Sequence, residues 1–285
     1  MHSIPDILLA DVQAEYAAAD GDISQLIMGE QVHVGGLHST LALAARAGVG
    51  DGMVGVDLCC HTGAGMRALV RFCGVKEMIG IDATEQVVER GRELCRAEGL
   101  DERISFVLGD ACATGLSTGG AEFVWGEDAW CYVEDKRALI VEAARLLRPA
   151  GTIAFTDWVE GPAGLEAPEA ERLLRFMRFP SILNIDDYRL LLDAAKLRIE
   201  VSEDTWRFAP YFDLYREMIT QQLTYDALKA VGFDVERMNY LEEEREFVRQ
   251  LGRGGKLIQA IFVARKRGVR ECAASPQNTQ RSRRS

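Results

Sequence analysis

The chain has 285 residues and a formal net charge of −11 at pH 7. Its last 19 residues hold five Arg against one Glu, which leaves −15 on the first 266. A body that acidic repels phosphate backbones, so nucleic acid is excluded as the expected partner. No apolar run reaches the roughly 18 residues of a membrane span, and none is expected. The first residues carry Asp6 and Asp11 and no basic region, unlike a secretory signal. Seven cysteines, an odd number scattered along the chain, read as reduced thiols of a cytoplasmic protein.

Residues 5–19 place Ile7, Leu8, Val12, Tyr16 and Ala19 on one helical face. Gly29, Gly35 and Gly36 then break any long element before a short helix over 41–47. Residues 53–56 are an apolar, β-branched run that reads as a buried strand and ends in Asp57. A loop with Gly63 and Gly65 follows, then helical spacing at Met66, Leu69 and Val70. Strand, tight loop and helix make the first unit of a doubly wound α/β sheet.

The alternation continues. Strand 78–81 ends in Asp82 and precedes a helix striped by Val87, Val88, Gly91, Leu94 and Cys95. Strand 104–108 runs into Gly109-Asp110-Ala111, and strand 123–125 into Gly126-Glu127-Asp128. A helix with Leu139, Ile140, Ala143, Leu146 and Leu147 on one face stops at Pro149, and strand 152–156 ends in Asp157. Later come a helix through Tyr188, Leu191, Leu192 and Ala195, a strand at 198–203, helices over 211–231 and 235–251, and a strongly apolar last strand at 257–264. The pattern predicts an α/β fold, a doubly wound and mainly parallel seven-stranded sheet with helical cap and lid insertions.

Ligands of such sheets bind beyond the carboxyl ends of the strands, where the acids gather. The loop after Asp57 holds neither G-x-x-x-x-G-K-[ST] nor a full G-x-G-x-x-G, which argues against a nucleoside triphosphate or a dinucleotide. An acidic strand end followed by glycines suits a ligand with a ribose and a cationic group. Cys59-Cys60-His61 are adjacent and chelate one ion poorly, and no CxxC or HxxxH supports them, so no metal is expected. Glu242-Glu243-Glu244 reads as a solvated face.

In order, Asp57, Asp82, Asp110-Ala111, the segment Gly126 to Tyr132, Arg148-Pro149-Ala150-Gly151 and Thr156-Asp157-Trp158 resemble the motifs of the class I S-adenosylmethionine-dependent methyltransferases. Three further features look most like the small-molecule members that act on sarcosine or dimethylglycine, phosphoethanolamine and some sugars. They are Gly29-Glu30-Gln31-Val32-His33-Val34-Gly35, similar to a G-E-D-x-H-x-G lid motif, the D-A-x-x-H-like Asp128 to Tyr132, and residues 252–256 before the last strand. The resemblance implies S-adenosylmethionine as cofactor. It puts Asp57 near the methionine amino group, Asp82 with Ala83 at the ribose hydroxyls, Asp110 and Ala111 at the adenine, and Gly126 and Glu127 beside the methionine tail. The family's D-x-G-x-G-x-G is here Asp57-Leu58-Cys59-Cys60-His61-Thr62-Gly63, so Cys59 and His61 stand where glycines belong. Those glycines permit close approach to the cofactor or a positive φ, and His tolerates the left-handed region better than most residues.

The implied reaction is metal-free, in-line methyl transfer to a small-molecule acceptor, an amine first and a hydroxyl second. Tyr132, Asp157 and His33 are the residues to orient or deprotonate it, Trp130 and Trp158 face it, and Arg253 or Lys256 would meet a carboxylate on a sarcosine-like acceptor. The alternative is a protein of the same fold that binds without turnover, which rests on the altered glycine loop. The scaffold leaves the acceptor atom open, and it is compatible with a homodimer. By segment, 1–48 reads as N-terminal lid helices, 49–158 as the cofactor-binding core and 159–183 as a cap. Residues 184–205 continue the core, 206–256 are a helical cap, 257–266 the last strand and 267–285 a disordered tail.

Overall fold

The computed structural model describes residues 2–17 and 21–268; the end of the first expected helix and the expected tail beyond 268 lie outside the described residues. Seven strands form the central sheet: β1 Val54–Leu58, β2 Glu77–Asp82, β3 Ile104–Leu108, β4 Ala121–Glu127, β5 Leu147–Glu160, β6 Leu197–Asp204 and β7 Leu257–Lys266. Their spatial order is β3-β2-β1-β4-β5-β7-β6, all parallel except β7, which runs antiparallel to both neighbours. The order reverses between β1 and β4, and that switch point opens a crevice at the carboxyl ends.

Helices cover both faces, which is why the strands are almost wholly apolar. Alternate residues of one strand go to opposite layers. Phe123 and Trp125 pack under α3 Gly36–Ala47, α4 Ala64–Phe72 and α5 Glu85–Ala97. Val124 joins Phe155 and Phe262 under α6 Lys136–Leu146 and α8 Ile185–Ala194. Burying such a side chain is worth roughly 1.5–3 kcal/mol, so these two layers hold the sheet rigid beneath the crevice.

The roof combines the N-terminal residues with two insertions. His2–Ser3 pairs antiparallel with Ser181–Ile182, just after α7 Ala167–Met177. Beside it lie α1 Leu9–Ala17, α2 Gly21–Met28, α9 Phe208–Glu217, a π-helical turn Met218–Gln222, α10 Thr224–Ala230 and α11 Val235–Arg253. Trp158 stands edge-on to Phe208 and Phe212, which stack on each other at 4.4 Å. No helix among the described residues is long and apolar enough to cross a membrane.

Two elements differ from the sequence expectation. Helix α2 forms inside the stretch read as broken, because Gly29 (φ 73°) and Gly35 (φ 94°) only end one helix and begin the next. Strand β5 begins before Pro149, where a strand should not: Leu147 pairs with Ala121 and Thr152 with Phe123, so residues 148–151 bulge out of the ladder. The missing N–H of Pro149 therefore breaks no hydrogen bond of the sheet.

Candidate active site

Parallel strands bring Asp57 (end of β1), Asp82 (β2), Asp110 (after β3) and Glu127 (β4) to one edge, where all four line a cavity of 470 Å³. Among the described residues no Lys or Arg lines it. Asp57 is buried and its carboxylate accepts no hydrogen bond among the described residues. Burial, then Glu127 and Asp82, push the Asp57 carboxyl well up. Burial also raises Glu127. A concave site that concentrates carboxylates with no Lys or Arg on its wall repels phosphates and stabilises a cation. These residues therefore fit S-adenosylmethionine, which carries a sulfonium, an ammonium and a ribose, and they do not fit a nucleoside triphosphate.

The loop after β1 keeps the turn that glycines would make. Cys59 (φ 63°) and His61 (φ 50°) both sit in the left-handed region, a conformation that costs roughly 1–2 kcal/mol for a residue with a Cβ. The strain is held by contacts across the site. His61 N–H donates to Asp82 Oδ2 at 2.9 Å, and Thr84 N–H donates to Asp82 Oδ1 at 2.9 Å. Each oxygen keeps a lone pair for a ribose hydroxyl. The His61 ring meets Tyr16 edge-on at 5.5 Å, and burial lowers its basicity against the pull of Asp82. Asp110 accepts from Cys112 N–H at 2.7 Å. Ala83 and Ala111 line the same cavity.

His33 is held by a network that its sequence motif did not reveal. Its Nε2 lies 3.2 Å from Glu127 Oε1, 3.2 Å from Thr40 Oγ1 and 3.1 Å from Gly36 O. The Gly36 carbonyl only accepts, so the network assigns the proton to Nε2 and the lone pair to Nδ1. Nδ1 has no hydrogen-bond partner among the described residues. Glu127 is fixed in turn by Thr40 Oγ1 (3.0 Å) and Trp125 Nε1 (3.0 Å). Asp128, at φ 50°, accepts from Val34 N–H and from Gln259 Nε2, both at 2.8 Å, and so ties the His33 segment to β7. Gln259, a lone amide within an apolar strand, was the one sequence signal for this network.

A second cavity of 320 Å³ lies under α2, α7, α9 and α11 and shares His33, His61, Tyr16 and Tyr132 with the first. Trp158, Phe176, Phe179 and Phe212 give it aromatic walls. Tyr132 stands edge-on to Tyr16 (5.3 Å) and Phe179 (4.8 Å) at the junction.

Several expected site residues lie elsewhere. Trp130 is fully buried, stacks on Phe155 at 4.1 Å and donates its Nε1–H to Leu58 O, so it belongs to the core and lines neither cavity. Gly126 makes room for that ring: a Cβ there would lie 2.2 Å from Trp130 Nε1. Gly63 caps α4 with φ 74°, and a Cβ on it would meet Phe106 at 2.6 Å; its role is the turn rather than contact with the cavity. Arg253 pairs with Asp213 and Lys256 with Glu169, so neither is left for an acceptor carboxylate. Glu244 is buried on Arg172, whereas Glu242 and Glu243 are exposed.

Asp157 is the largest departure. Strand β5 continues to Glu160, so Asp157 lies within it rather than at its tip, fully buried and paired across to Ala260. It accepts from Cys131 N–H (3.0 Å) and Tyr188 O–H (2.5 Å) and lines neither cavity. Burial pushes its carboxyl up to about 6. A folded carboxyl raised in this way holds its proton longer than the unfolded chain does. Its contribution to stability is therefore present below the unfolded value and is lost as pH rises through about 6. Over that window the loss is about 3 kcal/mol. Asp157→Asn can still accept from Cys131 and can donate to a rotated Tyr188 hydroxyl. Urea unfolding at several pH values should show the variant losing less stability than the parent between pH 4 and 7. Methyl transfer per folded molecule should stay within about twofold; a drop of two orders of magnitude in a folded variant would return Asp157 to the reacting centre.

Residues 56–151 match the family model described as a methyltransferase domain. A 27-O-demethylrifamycin SV methyltransferase of Amycolatopsis mediterranei is 32% identical over 54% of this chain, which spans only 57% of that relative's length. Methyltransferase GfsG of Streptomyces halstedii is 27% identical over 72% of this chain and 78% of its own. Among solved structures, phosphoethanolamine N-methyltransferase 2 of Haemonchus contortus superposes with a TM-score of 0.79 at 20% identity, covering 94% of this chain and 61% of that one. That likeness speaks for the fold alone. Together, the strand order, the strand-end carboxylates and the similar proteins identify residues 56–151 as a methyltransferase domain and support an S-adenosylmethionine-dependent methyltransferase.

Proposed function

We infer that the protein moves a methyl group from S-adenosylmethionine, bound over the strand-end carboxylates, to a small-molecule acceptor in the second cavity. The observation that carries this reading is the junction: an acidic cavity and an aromatic-walled cavity share His33 and Tyr132 as common lining. When bound, S-adenosylmethionine supplies a methyl carbon already activated by a cationic sulfur, so the reading needs no metal. Asp57 and Glu127 offset positive charge in the first cavity, Asp82 takes the ribose hydroxyls, and Asp110 with the Ala111 N–H takes the adenine. His33 accepts the acceptor's proton at Nδ1 while Glu127 holds the ring in that tautomer. Tyr16, Tyr132 and Phe179 wall the junction from water, and Trp158 lines the acceptor side.

The acceptor is an amine or a hydroxyl. Each has a proton to lose at His33, and the relatives named above include both an N-methyltransferase and a methyltransferase of a 27-O-demethyl compound. We place the reaction in the cytoplasm, in keeping with the thiols at Cys59, Cys60 and Cys131, which burial keeps protonated. Tritium transfer from labelled S-adenosylmethionine to a panel of amines, phenols and sugars tests the reading. Product with at least one class is expected; tight binding with no transfer to any would make the protein a binder without turnover. Tyr132→Phe should leave the cofactor Kd unchanged and lower kcat roughly tenfold, the loss of one hydrogen bond near the acceptor. Equal loss of binding and turnover would place Tyr132 on the cofactor instead.

A further inference from the structure

The second cavity holds a cation that no carboxylate among the described residues neutralises. Arg245, on α11, lines it, and its Nη1 is fully enclosed with no hydrogen-bond partner. Among the described residues Arg245 makes no ion pair or hydrogen bond. Neighbouring charges do not rescue it. Glu246, on the same cavity, is taken by Arg249 (2.5 and 2.7 Å) and Arg216 (3.3 Å), and Glu242 is exposed. Asp128 is committed to Val34 and Gln259. Burial lowers the guanidinium only to about 10, so it stays charged at neutral pH.

A buried guanidinium without a partner is costly unless a ligand supplies the missing charge. Trp158, Phe176, Phe179, Phe212 and Met238 give the cavity an aromatic and aliphatic wall beside this guanidinium's polar neighbours. We propose that Arg245 anchors an anionic group, a carboxylate or a phosphate monoester, on a methyl acceptor whose apolar body fills the second cavity. The planar guanidinium suits either group through paired N–H donors. The acceptor's nucleophile would then point to the other end, where His33 joins the two cavities. The proposal rests on the methyl-transfer reading above and names the substrate class for it.

The test is calorimetric binding to the full chain loaded with S-adenosylhomocysteine, using matched probes: 4-hydroxyphenylacetate, its methyl ester, and phenyl phosphate. At least one anion should bind tenfold or more tightly than the ester, and the stronger of the two identifies the group. Arg245→Met should erase that preference and Arg245→Lys should retain part of it, with S-adenosylhomocysteine affinity within twofold of the parent. An ester that binds as well as both anions, or failure of both anions to bind, overturns the proposal while leaving methyl transfer intact. Failure of S-adenosylhomocysteine itself to bind overturns the underlying reading instead. The comparison of probes on the parent protein keeps the proposal falsifiable should Arg245→Met not fold.

Discussion

Asp82→Ala is expected to abolish useful cofactor binding while the sheet stays folded. The carboxylate offers two free lone pairs beside the backbone N–H groups of His61 and Thr84 that it already accepts. Hydrogen bonds to a charged acceptor are worth about 1.5–3 kcal/mol each, so losing both ribose contacts weakens binding by roughly two to four orders of magnitude. A second effect adds to it. Without the 2.9 Å anchor from His61, the left-handed loop through Cys59 and His61 loses the contact that holds its strain. Calorimetric titration with S-adenosylmethionine should give a Kd beyond the measurable range for Asp82→Ala and an intermediate value for Asp82→Asn. A Kd within threefold of the parent would remove Asp82 from the cofactor.

The second large effect is on turnover. His33→Ala should lower kcat by ~10²–10⁴, the usual contribution of a positioned general base, with little change in cofactor Kd. Glu127→Gln keeps an acceptor for the Nε2–H and should cost less than His33→Ala. A His33 variant that retains the full rate would show that the acceptor arrives already deprotonated.

The sheet was legible because burial on both faces forces near-continuous apolar runs, and the acids at their ends marked the crevice. Asp57, Asp82 and Asp110 stood out for that reason. The same rule misplaced Asp157. A strand-end acid and an acid buried inside a longer strand look alike until pairing with β7 extends β5 to Glu160. Trp130 misled in a similar way: an aromatic just past a strand suits either a pocket wall or a core, and the small Gly126 decides for the core. Cys59 and His61 were read as a break in the glycine loop, yet both adopt the positive φ that glycine would, so that departure no longer favours a protein without turnover. What the sequence hid was long-range. Thr40 and Gln259 reach Glu127 and Asp128 only through the fold, and Arg245 sits in a run of charges that reads as solvated until α11 turns it inward.

The most direct measurement is a crystal structure of the protein with S-adenosylhomocysteine. The nucleoside should lie in the 470 Å³ cavity, with both ribose hydroxyls within hydrogen-bond reach of Asp82 and the amino group beside Asp57. A nucleoside bound elsewhere, or a ribose that leaves Asp82 untouched, would contradict the account.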